Sequence, residues 1–178
     1  MTVAAPVLPD VLGRGLRVVF CGSAVGTFSA HTGAYYAGPG NRFWPTLHEV
    51  GFTPRLLAPA EFRELPTWGI GLTDVCKTHH GMDHQIADND YDIPALERAM
   101  AEACPRVLAF TSKQAAKAAF GLRSTGPLDY GPQARTIGST PTWILPSPSG
   151  AARRHWSTVR WLELAQSYGS RPATQPIS

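Results

Sequence analysis

The side chains able to do chemistry in this chain stand at a few short segments. Gly22-Ser-Ala-Val-Gly26 follows the apolar run Arg17-Val-Val-Phe-Cys21 and offers backbone amides plus the Ser23 hydroxyl at a strand exit. It lacks the third glycine of a dinucleotide fingerprint and the Lys-Ser/Thr of a phosphate loop, which disfavours nucleotide binding. Asp74 closes the segment Gly69-Ile-Gly-Leu-Thr-Asp74, a carboxylate at the carboxyl end of a strand, suited to charge stabilisation or to capping a helical turn after it. Pro146-Ser-Pro-Ser-Gly150 runs on into Ala151-Ala-Arg153-Arg154 and combines hydroxyls, amides and two guanidinium forks that suit phosphate. Near a helix start those two charges oppose the macrodipole, so helix stability does not explain them. His79, His80 and His84 imitate metal-ligand spacing, but no helix is predicted there to fix it, and they read as a polar loop. Cys21, Cys76 and Cys104 are odd in number and widely spaced, which fits neither a disulfide framework nor a zinc or iron–sulfur cage. No metal and no cofactor are expected.

These groups need elements to hold them. Arg17–Cys21, Trp68–Thr73, Arg106–Phe110 and Thr142–Leu145 read as buried strands, short and apolar with glycine or proline at their ends. Between them, Ile93–Ala103 has Leu96, Ala99, Met100 and Ala103 on one helical face, and Lys113–Phe120 is an alanine-rich helix stopped by Gly121. Asn41 reads as an N-cap, with Pro45 in the first turn and Gly51 at the stop. Trp156, Val159, Leu162 and Tyr168 mark the buried stripe of a last helix. Gly22–Gly40 reads as a long functional loop, and Lys77–Asp92 as a surface connection. Alternating strands and helices predict a three-layer α/β/α sandwich with a short, mainly parallel central sheet. Ligands of such sheets bind beyond the carboxyl ends of the strands, where the Gly22 and Ser147 loops both fall. Residues 1–170 are expected to form one domain, with 171–178 a frayed tail.

Charge is unevenly spread. Residues 1–102 hold seven basic and eleven acidic groups, and residues 103–178 hold nine and two. Thirteen of the sixteen bases are Arg, so the second half suits an anionic partner. No apolar run has membrane-spanning length and the first residues do not read as a signal peptide, so a cytoplasmic protein is expected, with no membrane partner.

The string Val18–Trp44, VVFCGSAVGTFSAHTGAYYAGPGNRFW, resembles the first motif of the mismatch-specific uracil/thymine-DNA glycosylases, within the uracil-DNA glycosylase superfamily. The shared positions include Gly22, Gly26, Gly33, Tyr36, Gly38-Pro-Gly-Asn41 and Phe43-Trp44. Gly69–Asp74, Lys113-Gln-Ala and the Leu-Pro-x-Pro-Ser-Gly segment ending at Gly150 come in the family's order, so the resemblance spans roughly residues 16–165. It implies a monofunctional glycosylase that flips uracil out of DNA and hydrolyses its N-glycosidic bond, leaving an abasic site. Uracil-containing DNA, single- as well as double-stranded, is the implied partner, the abasic site is the product, and a monomer is expected. The substrate pocket implied is Gly22, Ser23, Ala24, Gly26, Ser29, Tyr36, Asn41 and Ser147, with Tyr36 stacking on the base for roughly 1–3 kcal/mol. Ser29 stands where the family screens the C5 position of the base, which would disfavour thymine. Asn41 serves equally well as a helix cap. Ser149, Gly150, Ala151, Arg153 and Arg154 resemble the DNA-entering loop, and Arg160 lies just beyond them. The cysteine count excludes the iron–sulfur branch of the superfamily.

Three departures matter. Ala24 replaces the Asn that positions the attacking water. Ser147 stands where some relatives use His or Asn on the uracil carbonyl, and Ala151 where a larger apolar wedge is common. A methyl cannot fill a vacated base stack, so weaker dependence on duplex structure is expected. Asp74 is the first candidate to replace the missing Asn, then His31, with Ser23 the third. Electrostatic stabilisation of the departing base, by the amides of 23–26 and the Ser147 hydroxyl, leaves catalysis feasible. The alternative is a non-catalytic protein that binds uracil-DNA or abasic sites.

Overall fold

The computed structural model describes residues 4–169. The expected frayed tail lies outside them. Five strands form one sheet in the order β2-β1-β3-β5-β4. They are β1 (Val18–Gly22), β2 (Ile70–Asp74), β3 (Leu108–Phe110), β4 (Gly131–Ile137) and β5 (Thr140–Ile144). The first two pair in parallel, as do β1 with β3 and β3 with β5, while β4 runs antiparallel to β5.

Every residue of β1, β2 and β3 is buried, as expected where helices cover both faces of parallel strands. Side-chain alternation along β1 divides the core in two. Val18 and Phe20 face one cluster, with Phe43 and Leu47 of α2 (Phe43–Glu49) and Trp161 and Leu164 of α5 (Val159–Tyr168). Val19 and Cys21 face the other, with Leu96 and Met100 of α3 (Ile93–Ala103) and Ala115, Ala116 and Ala119 of α4 (Lys113–Ala119). The result is the three-layer α/β fold that the alternation of elements predicts.

Local chemistry explains the helix boundaries. The Asp92 carboxylate accepts the Ala95 N–H at the start of α3, and the Ser112 hydroxyl accepts the Ala115 N–H at the start of α4. Three elements depart from the sequence expectation. Helix α5 does not bury the expected stripe of Trp156, Val159, Leu162 and Tyr168: Trp156 precedes the helix, Val159 and Leu162 are exposed, and Trp161, Leu164 and Ala165 face the core, a face set by Trp161, whose indole Nε1–H donates to the Pro146 carbonyl at 3.1 Å. The glycine-rich segment contains a one-and-a-half-turn helix, α1 (Thr27–Thr32), bounded by Gly26 and the left-handed Gly33. Six residues between glycines carry too little apolar period to announce a helix. Strand β4 reads Gly-Pro-Gln-Ala-Arg-Thr-Ile and is mostly exposed, with a register shift between Pro132 and Thr136. An edge strand of this composition pairs because β5 offers a free flank, rather than by its own propensity. Strand ends elsewhere move by one or two residues. Among the described residues no helix is long and apolar enough to cross a membrane.

Candidate active site

Register brings the functional loops to one edge. Gly22 pairs with Asp74, Cys21 with Phe110, and Phe110 with Ile144, so the carboxyl ends of β1, β2, β3 and β5 finish together. Beyond them opens a cleft of about 360 Å³, walled by residues 22–29, Tyr35, Tyr36, Asn41, Asp74, residues 81–83, Thr111, Ser112 and residues 147–149. That volume lies in the range of small-ligand sites.

Asp74 is 5% exposed. Burial pushes its carboxyl up from the usual value to about 7; the Lys77 ammonium opposes the rise and Asp10 adds to it. Lys77 in turn bonds Asp10 and the Thr73 hydroxyl. Gly22 makes room for this carboxylate. A Cβ there would lie 2.5 Å from Asp74 Oδ1 and 3.7 Å from Tyr36 Oη.

Tyr36 is held from several sides. Its backbone is left-handed, with φ 52°, an uncommon conformation for an aromatic residue. Its ring stacks on Phe43 at 3.9 Å between centroids and 18° between planes. Its hydroxyl lies 3.2 Å from Thr111 Oγ1. Burial, and then the charge of Asp74, raise the phenol well above its ordinary value, which keeps it protonated. Tyr36 thus lines the cleft with its ring stacked against Phe43.

Ser23 is 8% exposed and its hydroxyl donates to Asp83 Oδ1 at 2.5 Å. Ser29 is buried, and its Oγ accepts the Ala37 N–H at 3.0 Å. Asn41 Oδ1 accepts the Phe43 N–H at 3.0 Å, so its carbonyl caps the entry to α2 while the residue lines the cleft. Ala24 contributes a methyl to the lining and no polar atom from its side chain.

The two long loops are fastened to one another. Arg42 N–H donates to the Pro148 carbonyl at 2.8 Å, and a Cβ on Gly150 would come 2.8 Å from the Pro39 carbonyl oxygen. Within the second loop, Ser147 Oγ accepts the Ser149 N–H and Ser149 Oγ accepts the Ala151 N–H, both at 3.3 Å. Gly150, Ala151, Arg153 and Arg154 continue beyond the cleft wall, with the last three exposed. Arg153 Nε donates to the Gly150 carbonyl at 3.2 Å.

The structure thus gathers Gly22, Ser23, Ala24, Gly26, Ser29, Tyr36, Asn41, Asp74, Ser147 and Ser149 around one cleft. It leaves His31 out: that residue is exposed, outside the lining, with its ring 6.2 Å from His80. Asp83, Thr111 and Ser112 join the lining without a sequence signal. Asp83 sits in the segment read as a surface connection, and Thr111 is simply the residue after a buried strand.

This fold has known counterparts. Residues 9–165 match the family model of the uracil DNA glycosylase superfamily. That span is most of the chain, and the protein belongs to this superfamily of DNA-acting glycosylases. It is also similar to a Methanosarcina acetivorans protein, solved by NMR in solution and described as a candidate uracil DNA glycosylase. The two chains are 26% identical over 91% of this chain and 94% of that one, with a TM-score of 0.61.

Proposed function

We propose that the protein excises uracil from DNA, hydrolysing the N-glycosidic bond to leave an abasic site, as a monofunctional enzyme most like the mismatch-specific branch. The carrying observation is Tyr36. Its ring is stacked on Phe43, its hydroxyl is tied to Thr111, and it lines a cleft with room for a base at the sheet's carboxyl edge. A flat, rigid aromatic of this kind suits a planar base taken out of the stack. Asn41 has its carbonyl committed to α2, which leaves its amide N–H groups as donors toward a base carbonyl. Ser147 adds a hydroxyl on the facing loop. Asp74, in carboxylate form, supplies negative charge against the positive sugar that develops as the bond breaks. Water exclusion by the bound base strengthens that interaction. On the rim, Ser149, Gly150, Ala151, Arg153 and Arg154 face the DNA backbone, where guanidinium groups neutralise phosphate. With Ala151 too small to fill the stack, single-stranded substrates are accepted alongside duplexes.

Ala24 favours a second reading, in which the chain binds uracil-DNA or its abasic product without cutting it. A labelled oligonucleotide with one uracil, incubated with the protein and then treated with alkali, separates the two. Uracil-dependent scission supports the enzyme; a shifted but intact strand after long incubation supports the binder. In the same assay Ser29 predicts slower excision of thymine than of uracil, and equal rates would remove its screening role.

A further inference from the structure

We infer that Asp83 is a positioning residue that turns the Ser23 hydroxyl into an acceptor for the attacking water, taking over the place left by Ala24. The inference rests on the uracil-excision reading above. A serine hydroxyl has one proton to donate and lone pairs to accept with. Ser23 spends its proton on Asp83 Oδ1 at 2.5 Å, so toward the cleft it offers acceptance alone. That is the capacity an amide carbonyl would bring and Ala24, its neighbour, lacks.

The placement of Asp83 is built into the backbone. Cys76 N–H donates to the Ser23 carbonyl at 2.8 Å and Gly81 N–H to the Val25 carbonyl at 2.9 Å, extending the β1–β2 pairing past the strand ends. Asp83 then opens a 3₁₀ turn (Asp83–Gln85) in which the Gln85 side-chain carbonyl accepts the Met82 N–H at 2.7 Å. Gly81 is required there: its φ is +139°, and a Cβ would lie 2.6 Å from Gln85 Oε1. The carboxylate is therefore carried to Ser23 by a strap hydrogen-bonded to β1's extension and within its own turn.

In the reaction, the C1′–N1 bond breaks with its electron pair leaving on the uracil. The water oxygen bonds to C1′, and its proton passes along the Ser23 hydroxyl to Asp83, which faces solvent and releases it there. The uracil anion takes a proton from solvent. Ser23 touches the water; Asp83 acts through Ser23.

The test is a double-mutant cycle on single-turnover excision from a uracil oligonucleotide, with binding of the same oligonucleotide and the melting temperature measured alongside. Ser23→Ala lowers the rate about 10- to 100-fold and Asp83→Ala about tenfold, with affinity little changed. The double variant is no slower than Ser23→Ala. If Asp83 merely anchored its strap, its loss would slow the Ser23→Ala protein equally, and that additivity overturns the inference. Unchanged rates in both single variants overturn it too. A wild-type protein that leaves the uracil strand intact removes the excision reading itself and this inference with it.

Discussion

At Asp74 the proposed function sets stability and activity in opposition. Its carboxyl, buried and raised to about 7, binds a proton more tightly in the folded chain than in the unfolded one. The unfolded state therefore loses its proton first, and folding stability declines as pH rises from the ordinary carboxylate range toward 7. Over that window the loss is on the order of 4 kcal/mol. Asp74→Asn is expected to melt at higher temperature than the wild type at pH 8, with the gap closing below pH 4; thermal unfolding across pH checks this. Catalysis should run the other way. If the carboxylate form acts, the single-turnover rate rises through about pH 7 and levels off above it, and Asp74→Asn is slow with no such limb. An identical profile in the variant removes Asp74 from the chemistry. Lys77→Met strips away the cation that opposes the rise, so the limb should move to higher pH. Gly22→Ala attacks the same site by volume. Its Cβ meets the Asp74 carboxylate at 2.5 Å, so a loss of activity larger than the loss of stability is expected.

Among the elements, the two long loops act as one wall because they bond to each other at Arg42–Pro148 and pack at Gly150 against Pro39. Gly150→Val should force that seam apart, since the clashing atom is a backbone carbonyl that cannot rotate away. We expect a fall in stability of about 1–3 kcal/mol and weaker DNA binding, read by denaturant unfolding and by titration of an oligonucleotide. The seam also shows what can be read from sequence. Strands β1 to β3 are legible because burial on both faces leaves them almost wholly apolar, and α3 because Leu96, Ala99, Met100 and Ala103 repeat at helical spacing on one face. Most of the cleft is legible for another reason: the positions from Gly22 to Asn41 form a dense local string that resembles a known motif. Asp83 escapes because nothing in a polar loop without period says which carboxylate will fold back on a serine sixty residues earlier. His31 is the converse, a reactive residue type inside the motif whose helix turns it outward. Strand β4 escapes because an edge strand owes its conformation to its neighbour.

At the scale of the molecule, the opposite charge balance of the two halves acquires a geometry. The acidic groups of the first half include Asp74 and Asp83 in the cleft, while Arg153 and Arg154 stand exposed on the chain that leaves it after Ser149. An anionic polymer approaching this edge meets guanidinium groups on one loop and carboxylates inside. Under the proposed function, phosphates would be held at the rim, and the interior would accept the part of the nucleotide that gains positive charge during cleavage. Such an arrangement predicts a modest salt dependence, because few phosphates are neutralised. On a logarithmic plot of affinity against salt concentration, each phosphate contact contributes about 0.9 to the slope on a duplex and about 0.7 on a single strand. Arg153→Ala and Arg154→Ala should each weaken binding and flatten the slope by roughly that amount, whatever the base in the cleft. Excision measured at saturating enzyme should then be little altered, since neither side chain lines the cleft. A slope that stays unchanged in both variants places the phosphate contacts elsewhere on the surface. A rate that falls at saturation, with the slope unchanged, moves the arginines from gripping DNA to shaping the loop that holds Ser147.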